Sequence, residues 1–214
     1  MAISMLIRST HFMTPLLLFF PLLVGVQAET SSTGQKIPVT DTRLEDYDVH
    51  HPEVSPNDSL IAFSASKLGT WRKCTIWIQD INSGQVQQIT TEDSSMRAGD
   101  MYVRWSPDMS KLVFNSDRGG KTSLYIAELE SKPITIRKVK TKPLKASPWF
   151  NRASWTPDSK HIIAAVKDTD GDNLYEINVN THEAVRLSHF TGKRIKNGVD
   201  LSKDGRTALY NARN

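Results

Sequence analysis

Cysteine is almost absent: Cys74 stands alone in a chain of 214 residues. That excludes an intramolecular disulfide and a cysteine-built structural zinc site. Its setting, Cys74-Thr75-Ile76-Trp77-Ile78, reads as a buried strand position rather than a reactive thiol. No sign of charge dominates, with 27 Lys and Arg against 23 Asp and Glu and a formal net charge of +4. A mean hydropathy of −0.40 excludes a polytopic membrane protein. Five Trp, five Tyr and seven Phe exclude a disordered chain and fit one ordinary globular domain. Reaction-bearing motifs are lacking too. Gly119-Gly120-Lys121-Thr122 imitates the tail of a phosphate loop, but Asn115 holds the place of its first glycine and a strand pattern follows where a helix is required. There is no Gly-x-Ser-x-Gly elbow. The expectation is therefore a chain that is not an enzyme, with no catalytic, cofactor-binding or metal-ligating residues and no cofactor.

The amino terminus carries an address. Arg8 and His11 precede the apolar run from Leu16 to Val26, which closes on Val26-Gln27-Ala28 before Glu29. A basic head, an apolar stretch of about 7 to 15 residues and small residues at the cleavage point make a secretory signal peptide. An uncleaved anchor would need about 18 to 20 apolar residues, and Pro21 disfavours a spanning helix. Residues 1–28 are thus expected to be removed, leaving 214 − 28 = 186 residues with Arg8 lost and a net charge of +3. A periplasmic or secreted location follows, with no integral membrane segment after cleavage. Residues 29–46 read as a polar linker or lead-in strand, in which only Ile37-Pro38-Val39 is suited to an edge.

From residue 47 onward the chain repeats itself. Glu53-Val54-Ser55-Pro56-Asn57-Asp58, Arg104-Trp105-Ser106-Pro107-Asp108-Met109, Ser154-Trp155-Thr156-Pro157-Asp158-Ser159 and Asp200-Leu201-Ser202-Lys203-Asp204-Gly205 align. Their Ser or Thr residues, at 55, 106, 156 and 202, lie 51, 50 and 46 positions apart. A period near 50 marks a solenoid or propeller unit. After each turn comes an apolar strand, such as Leu60-Ile61-Ala62-Phe63 or Lys111-Leu112-Val113-Phe114, then a Gly-bearing turn and a second strand, such as Thr75-Ile76-Trp77-Ile78. Further strands end at Gln88-Ile89-Thr90 and Arg186-Leu187-Ser188. Four short strands per unit with no helical period is an all-β pattern. In the turn, proline presets φ and the preceding hydroxyl bonds the following backbone. Trp105 and Trp155 therefore occupy equivalent places, as core residues between neighbouring sheets.

The Trp105-Ser106-Pro107-Asp108 turn, the stretch Lys111 to Gly120 and Leu124-Tyr125 resemble the WD-type propeller repeats of the TolB family, marked by Ser-Pro-Asp-Gly turns. The chain departs from that pattern at Asn57, Met109, Ser159 and Lys203, and it leaves no room before the first repeat for the separate amino-terminal domain of TolB itself. The resemblance implies an all-β β-propeller of four-stranded antiparallel blades. Three complete blades and the start of a fourth are expected, at about 47–95, 96–145, 146–191 and 192–214. Closed propellers have about 4 to 8 blades, so this incomplete array is read as truncated, or as completed by a partner or by self-association through open blade edges. The function implied is an exported, non-catalytic protein–protein scaffold of the cell envelope. The alternatives are the amino-terminal propeller of a prolyl oligopeptidase-type hydrolase, and ligand or sugar binding in the propeller channel.

Other clusters have plainer readings. Asp168, Asp170 and Asp172 alternate like calcium ligands, but Gly171 comes too early and no later Glu completes an EF-hand, so a hairpin turn is expected. Asp48, His50, His51 and Glu53 invite a metal, yet alternation puts the first and second on one face and the third and fourth on the other. The run Arg137-Lys138-Val139-Lys140-Thr141-Lys142-Pro143-Leu144-Lys145 reads as an outer strand guarded by lysines, or as a contact for a protein or the anionic envelope. Export disfavours nucleic acid as a partner.

Overall fold

In the computed structural model, residues 44–142 and 152–213 are described. The predicted signal peptide, the Ile37-Pro38-Val39 edge segment and residues 143–145 of the basic run lie outside them. The described chain is all β, with fourteen strands in four antiparallel sheets. Blade 1 holds β1 (Tyr47–Val54), β2 (Leu60–Lys67), β3 (Thr75–Asp80) and β4 (Val86–Gln88), in that spatial order. Blade 2 holds β5 (Asp100–Trp105), β6 (Lys111–Ser116), β7 (Ser123–Glu128) and β8 (Thr135–Lys138). Blade 3 holds β9 (Ser154–Trp155), β10 (His161–Lys167), β11 (Asp172–Asn178) and β12 (Ala184–Arg186). The fourth sheet has two strands, β13 (Arg194–Leu201) and β14 (Ala208–Arg213). Three full blades and the first half of a fourth are thus arranged as a propeller, as the repeat period implied.

The repeated turn explains why each unit folds alike. The hydroxyls of Ser55, Ser106, Thr156 and Ser202 donate to Oδ1 of Asn57, Asp108, Asp158 and Asp204 at 2.8, 2.6, 2.5 and 2.6 Å. The fourth turn position is left-handed in every unit, with φ of 58° at Asp58, 63° at Met109, 56° at Ser159 and 70° at Gly205. Lys203 replaces proline in the last turn, and the Gly205 N–H still closes it onto the Ser202 carbonyl at 2.8 Å. The bond from the hydroxyl to a side-chain Oδ1, carboxylate or amide, rather than proline, is what all four turns share.

Between blades the core is apolar. Trp105 packs with Ala62, Ile76 and Ile78 of blade 1 and with Leu112 and Phe114 of its own blade. Trp155 repeats this between blades 2 and 3, against Val113, Leu124 and Ile126. Blade 3 then meets the half blade through Ile163, Ala165 and Leu174 against Ile195 and Val199. Both indoles are almost fully buried, as expected, and each N–H finds a carbonyl on the preceding blade's first strand. Cys74 is buried just before β3 and forms an isolated parallel bridge with Gly99.

Candidate functional site at the propeller axis

Counting back from each turn hydroxyl gives equivalent positions on the first strands β1, β5, β9 and β13, or, for Arg152, just before β9. Two residues back lie Glu53, Arg104, Ser154 and Asp200; four residues back lie His51, Tyr102, Arg152 and Gly198. A β-bulge interrupts β1 between His50 and Glu53, β5 between Met101 and Arg104, and β13 between Lys196 and Val199. At each bulge the chain takes a positive φ, 50° at His51, 57° at Tyr102 and 85° at Gly198. Bulges bend a strand and re-aim its side chains. Here they bring four blades together at one point. The His51 and Tyr102 rings lie 4.2 Å apart, and the Arg152 guanidinium stands over the Tyr102 ring at 5.2 Å. At Gly198 a Cβ would sit 2.4 Å from the Arg152 carbonyl oxygen, so only glycine lets β13 approach that closely.

The second set is charged. Arg104 Nε is 3.1 Å from Glu53 Oε2, and the same guanidinium donates to Asp200 of the half blade. One arginine therefore links blades 1, 2 and 4. Ser154, the equivalent residue of blade 3, donates instead to the Val199 carbonyl at 2.6 Å. Burial pushes the Glu53 carboxyl up to about 7, against the pull of Arg104 and Arg152 and with help from Asp200. Burial, then the Arg152 and His50 charges, hold His51 below the ordinary imidazole value. Its buried Nδ1 has no hydrogen-bond partner among the described residues.

The set extends outward. His50 rests its ring 4.0 Å from that of Trp71, in the β2–β3 loop, and its Nε2 lies 3.1 Å from Ser66 Oγ. Trp71, His50, His51, Tyr102 and Arg152 thus form a ladder of rings and one cation from the surface to the axis.

Of the clusters weighed from sequence, Asp48 and His50 face the β2–β3 loop while His51 and Glu53 face blade 2, so the two pairs remain divided. Among the described residues no group of three or more His, Cys, Asp and Glu is placed to hold a metal ion. Asp168 anchors its hairpin, accepting from the Asp170 and Gly171 amides at 2.9 and 3.2 Å and from the Tyr175 hydroxyl at 2.8 Å. Asp172 accepts from the Ile195 amide. Gly119-Gly120-Lys121-Thr122 is the β6–β7 turn, with a strand on each side. In the basic run, Arg137 is committed to Glu128 at 2.8 Å and to the Val179 carbonyl at 2.5 Å, and Val139 and Thr141 are buried. Sequence reasoning missed Tyr102, Arg104, Arg152 and Asp200. Their one signal was a fixed distance from the repeated turn.

The geometry defines a propeller-type array, and comparison with known proteins agrees at the level of fold. No protein-family profile matches the chain. Among solved structures it is similar to TolB from Acinetobacter baumannii, with a TM-score of 0.61 and 21% identity over 84% of this chain and 41% of that one. It is also similar to a puromycin hydrolase, with a TM-score of 0.59 and 12% identity over 83% of this chain and 26% of that one. In sequence it is 26% identical over 158 residues to the uncharacterized peptidase YuxL of Bacillus subtilis (strain 168), a match spanning 71% of this chain and 22% of that protein. The chain therefore covers less than half the length of each of these relatives. No helix among the described residues is long and apolar enough to cross a membrane.

Proposed function

We propose that this chain is an exported protein-binding propeller of the cell envelope, non-catalytic in itself, that engages its partner at the axis. The axial side chains carry the proposal. At the bulges of β1, β5 and β13 the blades present His51, Tyr102 and Gly198, and the segment just before β9 adds Arg152. Two residues on they present Glu53, Arg104, Ser154 and Asp200. A purely structural repeat would tolerate the same residue in each unit; four different chemistries around one axis make a recognition surface. A second reading, the propeller of a larger peptidase, is favoured by the sequence similarity to YuxL and the structural similarity to the puromycin hydrolase. In that reading the axis admits substrate to a catalytic domain elsewhere in the protein.

Intact mass spectrometry of the native product from its own cells separates the two. A mass equal to residues 29–214 supports the scaffold and removes the peptidase reading. A product tens of kilodaltons heavier, labelled by an active-site serine reagent, overturns the scaffold in favour of a peptidase propeller.

A further inference from the structure

The cleft between the β2–β3 loop of blade 1 and the connection from β4 to β5 is built unlike the rest of the surface. It is an open groove of about 840 Å³ lined by Lys67, Trp71, Arg72, Lys73, Arg97 and Glu92, with the buried Met96 among its walls. Trp71 is 67% exposed, an unusual state for the largest apolar side chain. It is nonetheless held in place, its ring 4.0 Å from that of His50 and tilted by 31°. The loop that presents it is strained. Gly69, Trp71 and Lys73 have φ of 74°, 48° and 53°, and a bulky residue at positive φ is a genuine outlier. Strain of this kind persists where surrounding structure imposes it, and it clusters at ligand clamps.

Charge decides what the cleft receives. Four cations face one carboxylate, Glu92, which lies 3.8 Å from Lys73. The Arg97 amide donates to Asp117 Oδ2 at 2.9 Å, but the side chains of Lys67, Arg72 and Arg97 are exposed and form no salt bridge among the described residues. Two of them are guanidiniums, whose planar forks match carboxylates in pairs. A lone exposed tryptophan is one stacking surface, whereas single-stranded nucleic acid is held on successive ones. A neutral sugar would make no use of four cations.

We propose that this cleft docks an acidic, extended peptide segment of a partner protein, seating one ring or proline on Trp71 and its carboxylates on Arg72, Arg97 and Lys67. The cleft lies at the outer end of the ring ladder that reaches the axis through His50 and His51, and the inference stands whichever reading of the axis is correct. Because Trp71 is already ordered by His50, docking costs little further side-chain entropy. Attraction to the cations speeds encounter and weakens with salt.

The test uses the full chain and a fluorescein-labelled peptide of glutamates flanking one tyrosine, read by fluorescence anisotropy. The expected result is binding that weakens with added salt. It is lost when the glutamates become glutamines, and falls about tenfold or more in each of Trp71→Ala, Arg72→Glu and Arg97→Glu. These side chains are exposed, so unchanged circular dichroism and thermal midpoints certify folding, and Lys121→Glu, outside the cleft, serves as the charge-matched control. Equal binding of the glutamine peptide overturns the proposal, as does a loss of the same size in Lys121→Glu. Tighter competition by polygalacturonate than by the acidic peptide also overturns it, in favour of an acidic polysaccharide.

Discussion

Glu53 is where single-residue chemistry has the widest consequence, because its carboxyl sits among Arg104, Arg152 and Asp200 from the three other sheets' segments of the chain. Burial raises it from the ordinary 4.5 to about 7. Between those values the folded chain holds a proton that the unfolded chain has released, so this group's contribution is full below pH 4.5 and is lost as pH rises through about 7. The loss is on the order of 3 kcal/mol. His50 and His51, both lowered chiefly by burial, act with the opposite sign: their contribution is full above pH 6.5 and is lost as pH falls. The Glu53 part is therefore read as a difference. Urea midpoints of wild type and Glu53→Gln, measured from pH 5 to 8, should diverge as pH rises, with the glutamine variant the more stable at the alkaline end; parallel curves would dispose of the idea. A simpler effect belongs to Asp58, exposed and left-handed at φ 58° in a place where the fourth repeat uses Gly205. Asp58→Gly should raise stability by about 1 kcal/mol, visible as a higher thermal midpoint. An unchanged or lower midpoint would mean that the Asp58 side chain offsets its backbone cost.

At the scale of elements, what the sequence disclosed was what side chains repeat. The turns Ser55 to Asp58, Ser106 to Met109 and Thr156 to Ser159 recur because each hydroxyl must reach its carboxylate or amide oxygen, and that chemistry is written in residue types. Trp105 and Trp155 were legible for the same reason, since each fills the same gap between blades. The bulges were not legible. They are events of backbone register, and His51, Tyr102 and Gly198 share no side-chain property that would mark them. The axial site hangs on those bulges, so it stayed hidden although every one of its residues was in view. Interblade connections obey a similar backbone logic. Gly99, at φ 92°, passes so close to blade 1 that a Cβ would lie 2.2 Å from the Cys74 nitrogen, whereas Gly120, at φ 88°, would meet nothing within 4 Å. Both positions disfavour a side chain by about 1–2 kcal/mol through φ alone. Gly99→Ala must also displace the bridge to Cys74, so it should cost about 1–3 kcal/mol beyond Gly120→Ala. Chemical denaturation of the two variants checks this, and equal losses would show that the close approach relaxes freely.

For the whole molecule, the last sheet sets the behaviour. In blades 1 to 3 the second strand, β2, β6 or β10, is paired on both sides and largely buried. Among the described residues its counterpart β14 pairs with β13 alone, and it is exposed at all six positions, with Leu209 at 74% and Tyr210 at 38%. An apolar strand edge of that length is a template for another strand, and natural edges are protected with lysine, proline or bulges. None of the six residues, Ala208-Leu209-Tyr210-Asn211-Ala212-Arg213, is a lysine or proline. The propeller plan calls for two more strands on that edge, so whatever supplies them, downstream chain or a second molecule, completes the same four-stranded sheet. When the chain of residues 29–214 is purified alone, a second copy is the available source. Sedimentation velocity should then show a monomer–dimer equilibrium that rises with concentration. Leu209→Lys, which puts a charge on the open edge, should shift it to monomer while leaving the blade 1–2 core intact. A chain that stays monomeric at every concentration, or a variant that dimerises as well as wild type, would mean that β14 is blunted some other way and that the half blade is closed to addition.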